Sequence, residues 1–208
     1  MGKETPPRQA RSRATLERLF VATEALLEEG GVEAATVPAI AERAGVSVGV
    51  VYRRFPDKDA LLRAVYLRYF GRLLEQNERG FQTLVSLNLP LPVTARALIT
   101  GMAEGYRRHR NILRPLIRYA RAHRDEEFKR EAQELNRRTT EAVAKILLAD
   151  PAAIKHPEPQ RAISFGLVTV ASLLHELVLE EPLLGMDLPR SLDEELVRMF
   201  FGYIGLDP

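Results

Sequence analysis

The sequence predicts an all-α protein, three short helices followed by longer ones. Three observations predict it. Apolar residues recur at helical spacing in nearly every segment. No stretch alternates cleanly enough to be a strand, and Gly and Pro fall between the periodic segments rather than inside most of them.

The first helix is expected over residues 12–29, where Leu16, Leu19, Phe20, Thr23, Leu26 and Leu27 share a face. Gly30-Gly31 ends it. Thr36 caps a short helix through Ala44, with Pro38 placed early, where its missing N–H costs nothing. Gly45 breaks that helix, and Ser47 caps the next, over 48–54. After Pro56-Asp57 a long helix over 57–87 joins the two parts without a flexible linker. Breaks at 89–92, Asn111, 123–125, 150–151, 156–159 and 181–189 leave helices over 92–109, 111–123, 125–149, 158–180 and 191–205.

With 46% hydrophobic and 28% charged residues, the 208-residue chain can bury a core. Its net charge is only +2, so a nucleic-acid partner would have to be met by local segregation of basic residues. There is no cysteine, which excludes disulfides, thiolate metal sites and cysteine nucleophiles and fits a cytoplasmic protein. Met1 to Pro7 lacks the apolar run of a secretory leader. The longest apolar stretch, 165–179, is interrupted by His175 and Glu176; at fifteen residues it reads as a buried helix, not a membrane span.

Nothing convergent enough for catalysis stands out. His109, His123, His156 and His175 are scattered, and His175-Glu176 begins a zinc-protease pattern that Leu179 leaves incomplete. There is no phosphate-cradling glycine loop and no nucleophile elbow. The expectation is a protein without enzymatic activity, metal or cofactor.

The informative segment is 37–55. Two helices joined by a three-residue turn pack at a steep angle, so the residue between them must be small, as Ala41 is. Four residues later Gly45 supplies a turn position that tolerates positive φ. Ile40, Ala44, Val46 and Val51 fall where the shared core would lie, and Tyr52, Arg53, Arg54 and Lys58 cluster around the second helix. That is a helix-turn-helix pattern, which also occurs in proteins that never touch DNA.

Residues 14–66 resemble the DNA-binding domain of the TetR/AcrR family of transcriptional regulators. The resemblance rests on a first helix ending at Gly30, then Thr36, Ile40-Ala41-Glu42-Arg43-Ala44-Gly45-Val46-Ser47, Gly49, Tyr52, Phe55, Lys58 and Leu61-Leu62. It implies three parts: a disordered basic arm at 1–11, a helix-turn-helix domain at 12–56, and a ligand-binding and dimerisation domain at 57–208. Thr36, Tyr52 and Lys58 would hold phosphates of double-stranded DNA, with Ser47 opening the recognition helix. Val48, Gly49, Val50 and Arg53 would face bases, Arg53 toward guanine, and Arg54 the DNA backbone. Val50 stands where the family often has threonine, which predicts apolar contact with a thymine methyl. Arg11 and Arg13 belong to an arm that either enters the minor groove or is a solvated tail.

In the body, the resemblance implies a homodimer built on the last two helices, with Phe165, Val168, Leu173, Leu177, Leu196, Met199, Phe200 and Tyr203 at the interface. A small-molecule effector would bind among helices spanning 57–149, where Tyr66, Phe70, Phe81, Met102, Tyr106, Leu116, Tyr119 and Phe128 are candidate lining residues. The expected function is repression at a palindromic operator, relieved by that effector. The alternatives are a TetR-like regulator without a ligand and a helical protein-interaction module.

Overall fold

The computed structural model describes residues 8–179 and 192–207. Among these the chain forms α1 (Arg8–Ala34), α2 (Val37–Arg43), α3 (Val48–Tyr52), α4 (Lys58–Ser86), α5 (Leu91–Arg108), α6 (Arg110–Ala122), α7 (Glu126–Leu147), α8 (Pro159–Leu179) and α9 (Leu192–Ile204), with a 3-10 turn at Pro151–Ala153. No strand occurs among the described residues, and the expected all-α class holds.

Local chemistry explains most boundaries. Gly30 (φ −155°, ψ 23°) and Gly31 (φ 69°, ψ −160°) leave helical geometry, so α1 bends where the sequence placed its end. Asp57 accepts from the N–H of Ala60 and caps α4, and Asp125 accepts from the N–H of Phe128 and caps α7. Other boundaries shift: α1 runs past the expected end at residue 29 to Ala34, and α3 stops at Tyr52 rather than residue 54. Helix α1 opens at Arg8, so residues 8–11, expected in a disordered arm, are helical. Residues 1–7, and the break expected over 181–189, lie outside the described residues.

Two large hydrophobic cores, and a smaller cluster of Leu113, Ile117, Val178 and Leu179 between α6 and α8, organise the described residues. The first gathers Leu19, Leu27, Ile40, Val51, Leu61 and Val65 from α1 to α4, and is completed by Ile112 and Leu116 of α6 and Phe128 of α7. The second joins α5, α8 and α9 to the C-terminal part of α7, with Ile99, Leu147, Ile163, Val170, Phe200 and Ile204 at its centre. Helix α4 is one 29-residue rod. Its start packs in the first core, and Phe81 and Leu84 near its end pack against the second. The core beneath the N-terminal helices therefore does not stop at residue 56, because body helices finish it.

Helix α8 is 21 residues long with a mean hydropathy of 1.8 over its most apolar window, long and apolar enough to cross a bilayer by composition alone. The fifteen-residue estimate was short because it began at Phe165, whereas the helix begins at Pro159. Ala162, Ile163, Gly166, Leu167, Val170, Leu174 and Val178 face the protein interior, the arrangement of a core helix. Phe165 and Val168, on the other side, are exposed.

Candidate nucleic-acid interface

The turn between α2 and α3 is built from its backbone outward. Gly45 has φ +64°, a conformation that glycine enters without the steric cost of a Cβ. The N–H of Gly45 donates to Glu42 O at 3.0 Å and that of Val46 to Ala41 O at 2.9 Å, closing the turn. Ala41 is 2% exposed, which lets α2 approach α3 closely. Ile40, Ala44 and Val51 are buried beside it, and Val46 is half-buried.

Since Val51 is the only buried residue of α3, the rest of this five-residue helix is presented outward. Val48, Gly49, Tyr52 and Arg53 are exposed, with Tyr52 at 52%, while Val50 is half-buried. A Cβ on Gly49 would meet nothing closer than Ser47 Oγ at 3.9 Å, so internal packing does not require glycine there. Thr36 accepts from the N–H of Ala39 at 3.3 Å, leaving its hydroxyl proton for an outside acceptor. Lys58 Nζ donates to Val32 O at 2.6 Å, which parks the ammonium at the start of α4.

Two expectations need correction. Ser47 occupies the N-cap position of α3, but its side chain makes no capping hydrogen bond. The helix start is held by backbone instead, Val50 N–H donating to Ser47 O at 2.9 Å, and the hydroxyl stays on the surface. Arg54 does not point freely outward. Its guanidinium donates to the carbonyl (3.0 Å) and hydroxyl (3.1 Å) of Ser12, tying the end of α3 to the start of α1. Arg11 and Arg13 lie exposed on that same first stretch of α1.

The rear of this unit is an ion-pair seam that sequence spacing could not reveal. Arg68 bonds Glu17 and Glu24, Arg72 bonds Glu24, and Arg68 lies over the Phe20 ring at 4.9 Å. Arg43 bonds Glu29. Glu17, Glu24 and Glu29 of α1 are thus paired with cations on α2 and α4, while Arg53 on α3 and Arg11 and Arg13 at the start of α1 are exposed.

Comparison with known proteins agrees with this geometry. Residues 19–65 match the family model of bacterial regulatory proteins of the tetR family, and residues 90–204 match the tetracyclin repressor-like C-terminal domain. The chain belongs to the TetR family. It is a TetR-family transcriptional regulator with a DNA-binding helix-turn-helix, and its relatives are regulators rather than enzymes. It is 40% identical over 84 residues to the HTH-type transcriptional repressor KstR of Rhodococcus jostii (strain RHA1), a match covering 39% of this chain and 40% of that one. It is 37% identical over 89 residues to the HTH-type transcriptional regulator BetI of Yersinia pestis (strain Pestoides F), covering 43% and 42%. The matches thus span about two-fifths of the length of these curated relatives. In fold the TetR-family chain is similar to the transcriptional regulator FadR from Bacillus subtilis, solved in complex with stearoyl-CoA (TM-score 0.66, 16% identity, covering 92% of this chain and 99% of that one). It is also similar to NalD of Pseudomonas aeruginosa (TM-score 0.61, 21% identity, covering 93% and 97%).

The body of this TetR-family protein separates the candidate ligand residues. Tyr66, Phe70 and Phe128 line a cavity of about 290 Å³ between α4, α6, α7 and α8. Phe81 lines a different and larger groove, of about 910 Å³, near the α4–α5 connection. Leu116 is core, Met102 and Tyr106 pack against the second core, and Tyr119 spends its hydroxyl on Asp59 at 2.7 Å. None of these last four lines the smaller cavity. Sequence reasoning missed the whole polar side of that cavity, Arg121, Lys129, Gln133, Asn136 and His175, and the apolar Ile117, Ala120 and Ala132. The one usable signal was His175, an imidazole that interrupts the apolar stretch of α8 beside Glu176.

The interface candidates divide as well. Phe165 (58%), Val168 (55%), Tyr203 (41%) and Met199 (39%) are exposed, and Leu173 and Leu177 are half-buried. Leu196 and Phe200 are corrected to core residues, 1% and 0% exposed, because α9 turns that side onto α5 and α8. Among the described residues no cluster of three or more His, Asp or Glu could hold a metal ion.

Proposed function

We propose that this regulator is a homodimeric repressor that binds a palindromic operator on double-stranded DNA in the cytoplasm and is released by a small-molecule effector. The observation that carries the reading is the outward face of α3, where Val48, Gly49, Tyr52 and Arg53 are exposed, with Thr36 exposed at the start of α2 and Lys58 half-buried at the start of α4. In that arrangement Thr36, Tyr52 and Lys58 hold phosphates and set the register. Arg53 reads a base edge, guanine being the partner that satisfies a bidentate guanidinium, worth about 1–3 kcal/mol of discrimination.

A lone five-residue helix binds weakly, so the reading needs two copies. The exposed apolar side chains of α8 and α9 supply a self-complementary surface, with the Phe165 and Tyr203 rings 5.3 Å apart across the two helices. Two recognition helices would then meet half-sites about 34–36 Å apart or at a multiple of that. Effector binding in the body favours a conformation with a different spacing, and affinity falls because both half-sites must engage together.

The test is selection of bound duplexes from a random pool by the purified protein, beside a Tyr52→Ala, Arg53→Ala variant. The expected result is a palindromic site recovered by the parent alone. If the parent enriches nothing at low salt, α3 is not a reader and the protein-interaction alternative replaces this one.

A further inference from the structure

The walls of the cavity between α4, α6, α7 and α8 divide by chemistry. Its apolar side is a continuous aromatic surface: the Tyr66 ring lies 4.5 Å from Phe70 and 5.0 Å from Phe128, the latter edge-on. Its polar side carries two cations, Arg121 from α6 and Lys129 from α7, two amides, Gln133 and Asn136, and the imidazole of His175. No carboxylate lines it.

The carboxylates that pair with the two cations stand outside the lining. Glu176 meets Arg121 through one contact of 2.7 Å, and Glu126 meets Lys129 at 2.9 Å. Arg121 and Lys129 are 48% and 40% exposed, so both pairs are solvent-screened and exchange readily for another anion. His175 packs its ring against Tyr106 at 5.4 Å. Burial, reinforced by Arg121, pushes its pKa down, so at neutral pH it is an uncharged imidazole, able to donate from one ring nitrogen and accept at the other. Among the described residues its nitrogens have no hydrogen-bond partner.

We infer that this cavity takes a small aromatic carboxylate, its ring against Tyr66 and Phe70 and its carboxylate between Arg121 and Lys129. A volume of about 290 Å³ lies at the small end of the ~300–1,000 Å³ usual for ligand sites and limits the ligand to one or two rings. The positive lining selects an anion, and the amides and His175 supply further polar contacts. The inference rests on the reading of the chain as an effector-responsive regulator and names the chemistry of that effector.

Calorimetry on the full chain without DNA tests it, using benzoate and 2-naphthoate against benzamide and 2-naphthamide. Binding of at least one acid is expected, about tenfold or more tighter than its amide. An Arg121→Gln, Lys129→Gln variant, altered only at partly exposed side chains, is expected to lose about tenfold for the acid and to leave the amide unchanged. Amides that bind as tightly as acids, a double variant that keeps its acid affinity, or no heat from either acid overturns the inference. Operator selection is a separate measurement. A protein that selects an operator but binds no acid refutes the ligand class alone, and one that binds the acid but selects no operator refutes the repressor reading alone.

Discussion

His123 Nε2 lies 3.0 Å from Asp59 Oδ2, which fastens the end of α6 to the first turn of α4 one residue beyond Lys58. The tautomer follows from the neighbouring contact: the N–H of Asp125 donates to His123 Nδ1 at 3.2 Å, so the ring proton sits on Nε2 and points at the carboxylate. Tyr119 donates to the other Asp59 oxygen at 2.7 Å. Both rings touch Phe128, at 4.9 Å and 5.7 Å, and Phe128 forms part of the cavity wall. A continuous series of packed and hydrogen-bonded groups thus runs from the proposed effector site to the residue proposed to hold a phosphate.

Asp59→Asn is expected to weaken that fastening. Burial raises the Asp59 pKa, but the hydrogen bonds from His123 and Tyr119 outweigh it and hold the carboxyl below its ordinary value of 3.8. A depressed carboxylate stabilises the fold above its unfolded pKa, and that contribution disappears as pH falls through the folded one. The side chain is 53% exposed. The loss at neutral pH should therefore be roughly 0.5–1 kcal/mol after screening. Urea unfolding at several pH values checks this: the Asn variant should be weaker at pH 7 and should converge on the parent at acid pH. A constant difference down to the acid limit would mean that the Asp59 charge is not involved.

Lys58 and Arg54 should behave differently, although both were read as backbone contacts. Releasing Lys58 from Val32 O frees an ammonium for a phosphate, so Lys58→Ala should reduce the salt slope of operator binding by about 0.9 without changing sequence preference. Arg54 is occupied with Ser12, so Arg54→Ala should leave the slope nearly unchanged and cost stability, about 1 kcal/mol. Titrations across salt concentrations, paired with thermal unfolding, separate the two. An Arg54 variant that loses a full phosphate's slope would show that the Ser12 contact opens on DNA.

Two glycines should respond to alanine for different reasons. At Gly45 the nearest atom to an added Cβ is Arg18 Nη1 at 3.6 Å, an ordinary contact, so the cost is that of φ +64° alone, about 1–2 kcal/mol. Gly166 lies inside α8, where replacement by alanine ordinarily stabilises by about 0.5–1 kcal/mol. Here the Cβ would stand 2.8 Å from Phe200 Cε2, on a ring that is 0% exposed and has nowhere to turn. Gly166→Ala should therefore destabilise by about 1–3 kcal/mol. The sign at Gly166 decides the matter: a stabilised variant would show that the α8–α9 crossing can relax.

The contrast between these sites explains what could be read in advance. Gly45, Ala41 and Thr36 act within a few residues of themselves, through φ, side-chain size or a cap, so the turn and the start of α2 were legible in the sequence. The Arg54–Ser12, Arg68–Glu24 and His123–Asp59 contacts join positions 42, 44 and 64 residues apart, which no local period encodes. The cavity was half legible for the same reason. Its aromatic side lies on the apolar faces of α4 and α7, whereas Arg121 and Lys129 look like any solvated helix cation until α6 and α7 are placed side by side. Leu196 and Phe200 show the converse error: an apolar residue on the last helix was taken for an interface residue when its own chain already covers it.

That distinction makes the dimer testable without unfolding the protomer. Phe165 and Val168 are more than half exposed, so Phe165→Asp, Val168→Asp leaves both cores intact and adds two charges only where a partner would sit. Buried in a self-complementary interface, each carboxylate would face its own copy or an apolar wall, and neither can be desolvated cheaply. The variant should keep its helicity and thermal transition while sedimenting as a monomer. Operator affinity should fall by about 10²–10⁴-fold, because the second recognition helix no longer binds as part of the same molecule. Phe200→Asp should instead unfold the protein, since that ring fills the second core at 0% exposure. If the double variant still sediments as a dimer and keeps its operator affinity, the exposed α8–α9 surface is not where two copies meet.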